Sequence, residues 1–222
     1  MPWLNLKFTA SAGDIAIIVE WDQTLDSTRL PLDWLEGEEF VISSSDFSGS
    51  HSEKRTILKV SNPSINPIIT FEEPLLYTHY AEETDLIGER KIKTTAEVAI
   101  LSRNVKIQGD SKSTKTTQQG AVFIVHDVGS IARIDSVEFN HVGQAAREYK
   151  YPIHFHMVDD ARFSYIKNCV IKESYARAIG LSGVKNLLVE NNVVFDIEGH
   201  GILSIYGTEK DNTITQNLVI KN

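Results

Sequence analysis

Apolar residues in the second half of this chain come in short runs rich in β-branched side chains. Asparagine, glycine and aspartate separate the runs, and the three-to-four spacing of an amphipathic helix is missing. The runs recur. Ile166-Lys167-Asn168-Cys169-Val170-Ile171 is matched position by position 23 residues later by Val189-Glu190-Asn191-Asn192-Val193-Val194. A third copy, Ile214-Thr215-Gln216-Asn217-Leu218-Val219, follows 25 residues after the second. A β-rich period in the twenties predicts a solenoid in which each repeat is one rung. Aliphatic columns then run through Ile166, Val189 and Ile214 and through Ile171, Val194 and Val219, and an amide column runs through Asn168, Asn191 and Gln216.

The first half alternates differently. Ile15–Val19, Phe40–Ile42, Arg55–Val60 and Ile68–Phe71 read as strands separated by polar or glycine-bearing turns, followed by an irregular charged stretch up to residue 95. This predicts a small β module over 1–95 that leads into a right-handed parallel β-helix over 96–222. The coil is expected to open with the strand Ala96–Leu101, and the chain ends in mid-rung at Asn222, as a piece of a longer protein would. Ser111–Gln119 has no apolar residue and reads as a mobile loop, with Lys112 and Lys115 in solvent.

One rung is longer than the rest. Ile134 precedes Ile166 by 32 residues, nine more than the later period, and the excess is placed between His141 and Tyr151 as a projecting loop. Loops inserted on one side of a solenoid often border its binding face. With that placement His154, Arg177 and His200, spaced by 23, share one column. The same arithmetic sets His156 over Ile179 and Ile202, two core-like positions, so either His156 is buried or the strand kinks between the two histidines.

Composition narrows the classes. An apolar share of 41% supports a sizeable core, and a net charge of −8 argues against a general binder of nucleic acid or anionic membranes while leaving room for a local basic cluster. The single cysteine, Cys169, excludes an internal disulfide framework and falls in a strand, as a buried thiol. No basic segment followed by an apolar run opens the chain, and no stretch approaches the roughly 20 apolar residues of a membrane span.

The candidate chemistry gathers around Tyr151-Pro152-Ile153-His154-Phe155-His156 and Gly199-His200-Gly201. Strand alternation puts Ile153, Phe155 and Met157 on one face and His154 and His156 on the other. A His-x-His pair with Asp159 beside it could hold a divalent cation through His154, His156 and Asp159, although hydrogen-bonded structural histidines are the commoner outcome. A strip of His154, Arg177 and His200, with Tyr151 alongside, could bind a carboxylate or sulfate, or supply an acid or base. Arg177 could instead pair with Glu173, Asp196 or Glu198. His51 and His79 lie in loops and receive no role. Nucleophile elbow, phosphate-binding glycine loop and Cys-x-x-Cys are all missing.

The blocks Asp33–Phe47, Glu53–Ile57, Ala96–Val105, Gln108-Gly109-Asp110, Tyr151–His156 and Gly199–Gly201 resemble, in order, the region that follows the G8 domain in the fibrocystin-like family. That family also contains cell-surface and secreted hyaluronan-binding and hyaluronan-degrading members. The resemblance implies a right-handed parallel β-helix on an extracellular or membrane-tethered protein. It carries a role onto His154, His156, Arg177 and His200, as a glycan- or protein-recognising face or as the site of a hyaluronidase-like enzyme; a purely structural spacer is the third reading. Where the family often has an acidic pair after the Gly-His-Gly segment, this chain has Ser204-Ile205-Tyr206-Gly207.

Overall fold

A computed structural model describes residues 1–21, 30–85, 91–113 and 115–221, and the chain divides into two compact units, Trp3–Ser102 and Arg103–Asn222.

In the first unit, Trp3–Asn5, Glu97–Ile100, Glu39–Ile42 and Glu53–Thr56 lie side by side in an antiparallel sheet. A second antiparallel sheet joins Ala16–Ile18, Ile68–Thr70 and Lys59–Ser61. Phe40, Ile42, Ile57, Ile69, Phe71 and Val98 are fully buried between them. Two expectations change here. Arg55–Val60 is not one strand: it breaks at Ile57, whose side chain anchors the core, and feeds both sheets. The strand expected to open the coil, Glu97–Ile100, pairs antiparallel with two strands of this unit, so the division falls at 102/103. The charged stretch forms an antiparallel hairpin of Ala81–Asp85 with Lys91–Thr95; residues 86–90 lie outside the described residues.

The second unit is a parallel β-helix of three sheets. Sheet I stacks Val105–Gln108, Val137–Asn140, Val170–Ser174, Val193–Ile197 and Leu218–Ile220. Sheet II stacks Phe123–His126, Ile153–Asp160, Ile179–Lys185 and Ile202–Ser204, and sheet III stacks Arg133–Asp135, Tyr165–Lys167, Leu188–Glu190 and Thr213–Thr215. Register is held by the interior: Ile166 on Val189, Ile171 on Val194 and Phe155 on Leu181 are pairs of buried side chains, and a slip of one residue would turn each outward.

The corner between sheets III and I explains the asparagines. Asn168, Asn191 and Gln216 take left-handed φ of 53°, 59° and 53°, a conformation asparagine tolerates better than β-branched residues do. The Asn191 amide donates to Asn168 Oδ1 (2.8 Å), and the Asn168 amide donates to Asp135 Oδ1 (2.9 Å). One residue further on a second ladder runs inside the coil. Asn192, fully buried, accepts from the Cys169 backbone N–H and donates to Ile166 O and Asn217 Oδ1. Cys169 occupies the rung above in that inner column, and its thiol is buried as expected; burial raises its pKa to about 11.

The nine extra residues of the long rung are split. Asn140 pairs with Lys172 and Ile153 with Ile179, so the path from sheet I to sheet II is six residues longer than on the next rung. The other three fall after the histidines. His156 pairs with Ser182 but Tyr165 with Leu188, and the surplus is taken up by a bulge at Met157-Val158 and by the turn Ala161–Ser164. Met157 has φ of 56° and is exposed, where alternation alone places it in the core, and Val158 fills the inward position.

Candidate functional site

Because three of those residues come after His154, the expected column changes its first member. Ile153 sits over Ile179 and Ile202, which puts His154 over Gly180 rather than Arg177. The residue one rung before Arg177 is Tyr151. The strip is therefore Tyr151, Arg177 and His200. The guanidinium carbon of Arg177 lies 5.8 Å from the centre of the Tyr151 ring, its Nη1 reaches the phenol oxygen at 3.5 Å, and its Nε donates to His200 Nδ1 at 3.3 Å. This arrangement also removes the conflict over His156, whose partners are His126 and Ser182 and not core isoleucines.

Glycines set these approaches. A Cβ at Gly180 would come within 2.3 Å of the Tyr151 ring, so glycine there leaves the room that the ring occupies. Gly199 has φ of +113°, and a Cβ there would press on Arg177 Cγ at 3.1 Å.

His154 is a wall, not a working group. It is fully buried; its Nδ1–H donates to Tyr149 O (3.0 Å), and its Nε2 accepts from the Ser182 hydroxyl (2.8 Å). Burial pushes its pKa down to about 4, and the positive charges of His156, His126 and Lys150 would push the same way. With both ring nitrogens engaged it has no lone pair for a metal. Asp159, beyond the bulge, pairs with Lys185 (3.0 Å). The set His154, His156 and Asp159 thus does not converge on one ion, and no cluster of three or more such side chains among the described residues could hold a metal. His156 is stacked against His126, with ring centres 5.2 Å apart.

The strip faces a cleft of about 580 Å³. The inserted loop, Gln144–Glu148, lines the same cleft, together with Tyr175, Glu198 and Gly199. The loop is pinned by strand-like contacts of Gln119 with Gln144 and of Ala121 with Val142, and by the Ala145 N–H on Gln118 O. The stretch read as a mobile loop is thereby tied down at several points: Ser113 O receives the Tyr175 hydroxyl at 2.9 Å, and Gln118 reaches Glu198. Tyr175 also contacts His141 Nδ1 (3.1 Å), whose Nε2 meets Glu173 (3.1 Å). Arg147 and Arg177 bring positive charge, His200 an imidazole, and Glu148 and Glu198 two carboxylates. Sequence reasoning placed the loop by its excess length but could not name Arg147, Glu148 or Tyr175, whose roles depend on how the insertion folds back.

The CEMIP beta-helix family model matches residues 118–222. This coil belongs to that family. Over 98% of its length the chain is also 32% identical to Fibrocystin-L of Mus musculus and 31% identical to that of Homo sapiens, which bears out the fibrocystin-like resemblance. A G8 domain-containing protein of Dictyostelium discoideum is 30% identical over 97% of the chain. The chain spans only 6% of the Fibrocystin-L sequences and 17% of the Dictyostelium one. Among solved structures, the tailspike protein gp49 from Pseudomonas phage LKA1 aligns over 99% of this chain and 43% of that one, with 16% identity and a TM-score of 0.32.

Proposed function

We propose that this fibrocystin-like segment acts at a cell surface or outside the cell as a recognition element, holding an acidic glycan of glycosaminoglycan type, hyaluronan being the test case, in the cleft between the Tyr151–Arg177–His200 strip and the inserted loop. The observation that carries this reading is the guanidinium braced on both sides. Arg177 lies within cation–π range of the Tyr151 ring, reaches its hydroxyl through Nη1 and donates from Nε to His200 at the edge of the cleft, so less side-chain entropy is left to lose on binding. A planar cation in an open groove suits a carboxylate on an extended chain, and aromatic faces suit sugar rings. Among the described residues no helix is long and apolar enough to cross a membrane, and the segment inserts in none on this reading; neither does its charge fit nucleic acid.

A protein ligand with an acidic side chain would use the same fork. A second reading, polysaccharide cleavage, rests on Glu148 and Glu198 lining the same cleft as His200, where carboxylates could serve as acid and base. Titrating the chain with hyaluronan oligosaccharides and sizing polymer after incubation separates these. Binding without chain shortening, weakened roughly 10- to 100-fold in Arg177→Ala as loss of a charge-assisted hydrogen bond implies, supports recognition. Shortening that disappears in Glu198→Gln establishes the enzyme, and neither binding nor shortening leaves a spacer.

A further inference from the structure

The outer face of sheet II carries a second cluster, separate from the cleft, that the recognition reading does not use. His126 and His156 are partners on adjacent parallel strands, so both imidazoles leave the same face one rung apart, with rings 5.2 Å centre to centre and inclined by 21°. Their surroundings differ in a way that matters chemically. His126 is exposed, and its Nδ1 lies 2.6 Å from Asp127 Oδ1, so the proton sits on Nδ1 and the Nε2 lone pair is left outward. That carboxylate–imidazole arrangement is the one that orients metal-bound histidines and raises their basicity. His156 has a buried Nδ1 without a hydrogen-bond partner, enclosed by the rings of Tyr149, His154 and His126. A buried nitrogen left unsatisfied costs about 1–3 kcal/mol, a cost that an ion or a water on that ring would offset.

We propose that His126 and His156 form a two-imidazole site for a borderline transition-metal ion, Zn²⁺ or Cu²⁺, oriented by Asp127 and completed by water. Imidazole nitrogen selects these ions over Ca²⁺ and Mg²⁺, which require several oxygen ligands. Two protein ligands leave open positions, so the site is an exchangeable one and not a structural zinc. His154 backs the site as a fixed aromatic floor, since both its nitrogens are occupied. This proposal does not depend on the cleft or on any glycan.

The test is calorimetric titration of the metal-free chain with ZnCl₂ and CuCl₂, without polysaccharide, at pH 7.5 and again near pH 5.5. One equivalent should bind at the higher pH, with affinity reduced at least about tenfold at the lower one as the imidazoles protonate. His126→Ala, an exposed substitution that leaves the core intact, should abolish binding, and Asp127→Asn should weaken it by roughly 10-fold or more. His51→Ala, which removes a different surface histidine paired with an aspartate, should change nothing. CaCl₂ should give no heat. Equal affinity in His126→Ala, equal loss in His51→Ala, or no zinc or copper binding by the unaltered chain would each overturn the site.

Discussion

His154 shows how a residue typical of active sites can be spent on architecture. Its neutral form donates to one carbonyl and accepts from one hydroxyl inside a fully buried pocket, and protonation would place a charge there beside two other histidines. The sign of the pH effect follows. The folded pKa of about 4 lies below the ordinary 6.5, so the unfolded chain binds more protons and acidification favours unfolding. Stability is complete above pH 6.5 and is lost progressively towards pH 4, by up to about 3 kcal/mol. Urea denaturation of the unaltered chain and of His154→Gln at pH 7.5 and pH 4.5 should show a steeper acid loss in the former. An equal loss in both would assign the acid sensitivity elsewhere. Glu53 works in the opposite ionic direction within the first unit. Burial resists its charge, but the N–H groups of Leu76 and Tyr77, with His79 and Arg55, hold its pKa below the ordinary carboxylate range. Its contribution is present above the unfolded carboxylate pKa and disappears only as pH falls through the lower folded value. His79, which the sequence left without a role, is the buried partner of that carboxylate at 3.1 Å.

At the level of single elements, the inner amide ladder is the clearest structural device. Asn192 satisfies the Cys169 N–H above it and the Ile166 carbonyl, and it joins Asn217 below. An aliphatic replacement of similar size would leave several buried polar groups without partners. Asn192→Leu is expected to cost about 3 kcal/mol or more, read as a lower urea midpoint, whereas Asn191→Ser in the more exposed outer ladder should cost about 1 kcal/mol. Tyr151 depends on its neighbour in a similar way. Gly180→Ala drives a methyl into the ring, so it should displace the tyrosine, release Arg177 and weaken cleft binding even though neither residue is mutated. Unchanged affinity in Gly180→Ala would separate ligand recognition from the Tyr151–Arg177 contact.

Across the whole coil, stability is a sum of rungs and of the interfaces between them. Val170 lies over Val193, so joining Cys169 to Val193 removes one complete rung and returns every side chain to an equivalent place. That deletion should yield a folded coil with a reduced melting temperature and no Arg177-dependent binding. Removing one residue fewer leaves a surplus residue that the rung must absorb as a bulge, as at Met157-Val158, and should lower the melting temperature further. Circular dichroism melts of the two deletions test the solenoid directly. A melting temperature no lower for the out-of-step deletion than for the whole-rung one would contradict the register.

The repeat spacing, the strands, the amide corners and the buried thiol were legible from the chain alone, because side-chain period and turn chemistry are local properties that each rung repeats. So was the presence of an inserted loop before the histidine strand, since nine surplus residues must leave the rung somewhere. How the surplus is divided was not legible. A bulge at Met157-Val158 and a longer turn at Ala161–Ser164 take three of those residues, and that division decides whether His154 or Tyr151 stacks on Arg177. Bulge placement is set by which side chains the neighbouring rungs can accept, as when Val158 goes inward and Met157 goes out, and that is a contact between residues far apart in the chain. Tertiary packing alone therefore chose the members of the strip, turned His154 from a candidate catalyst into a support, and set His126 against His156.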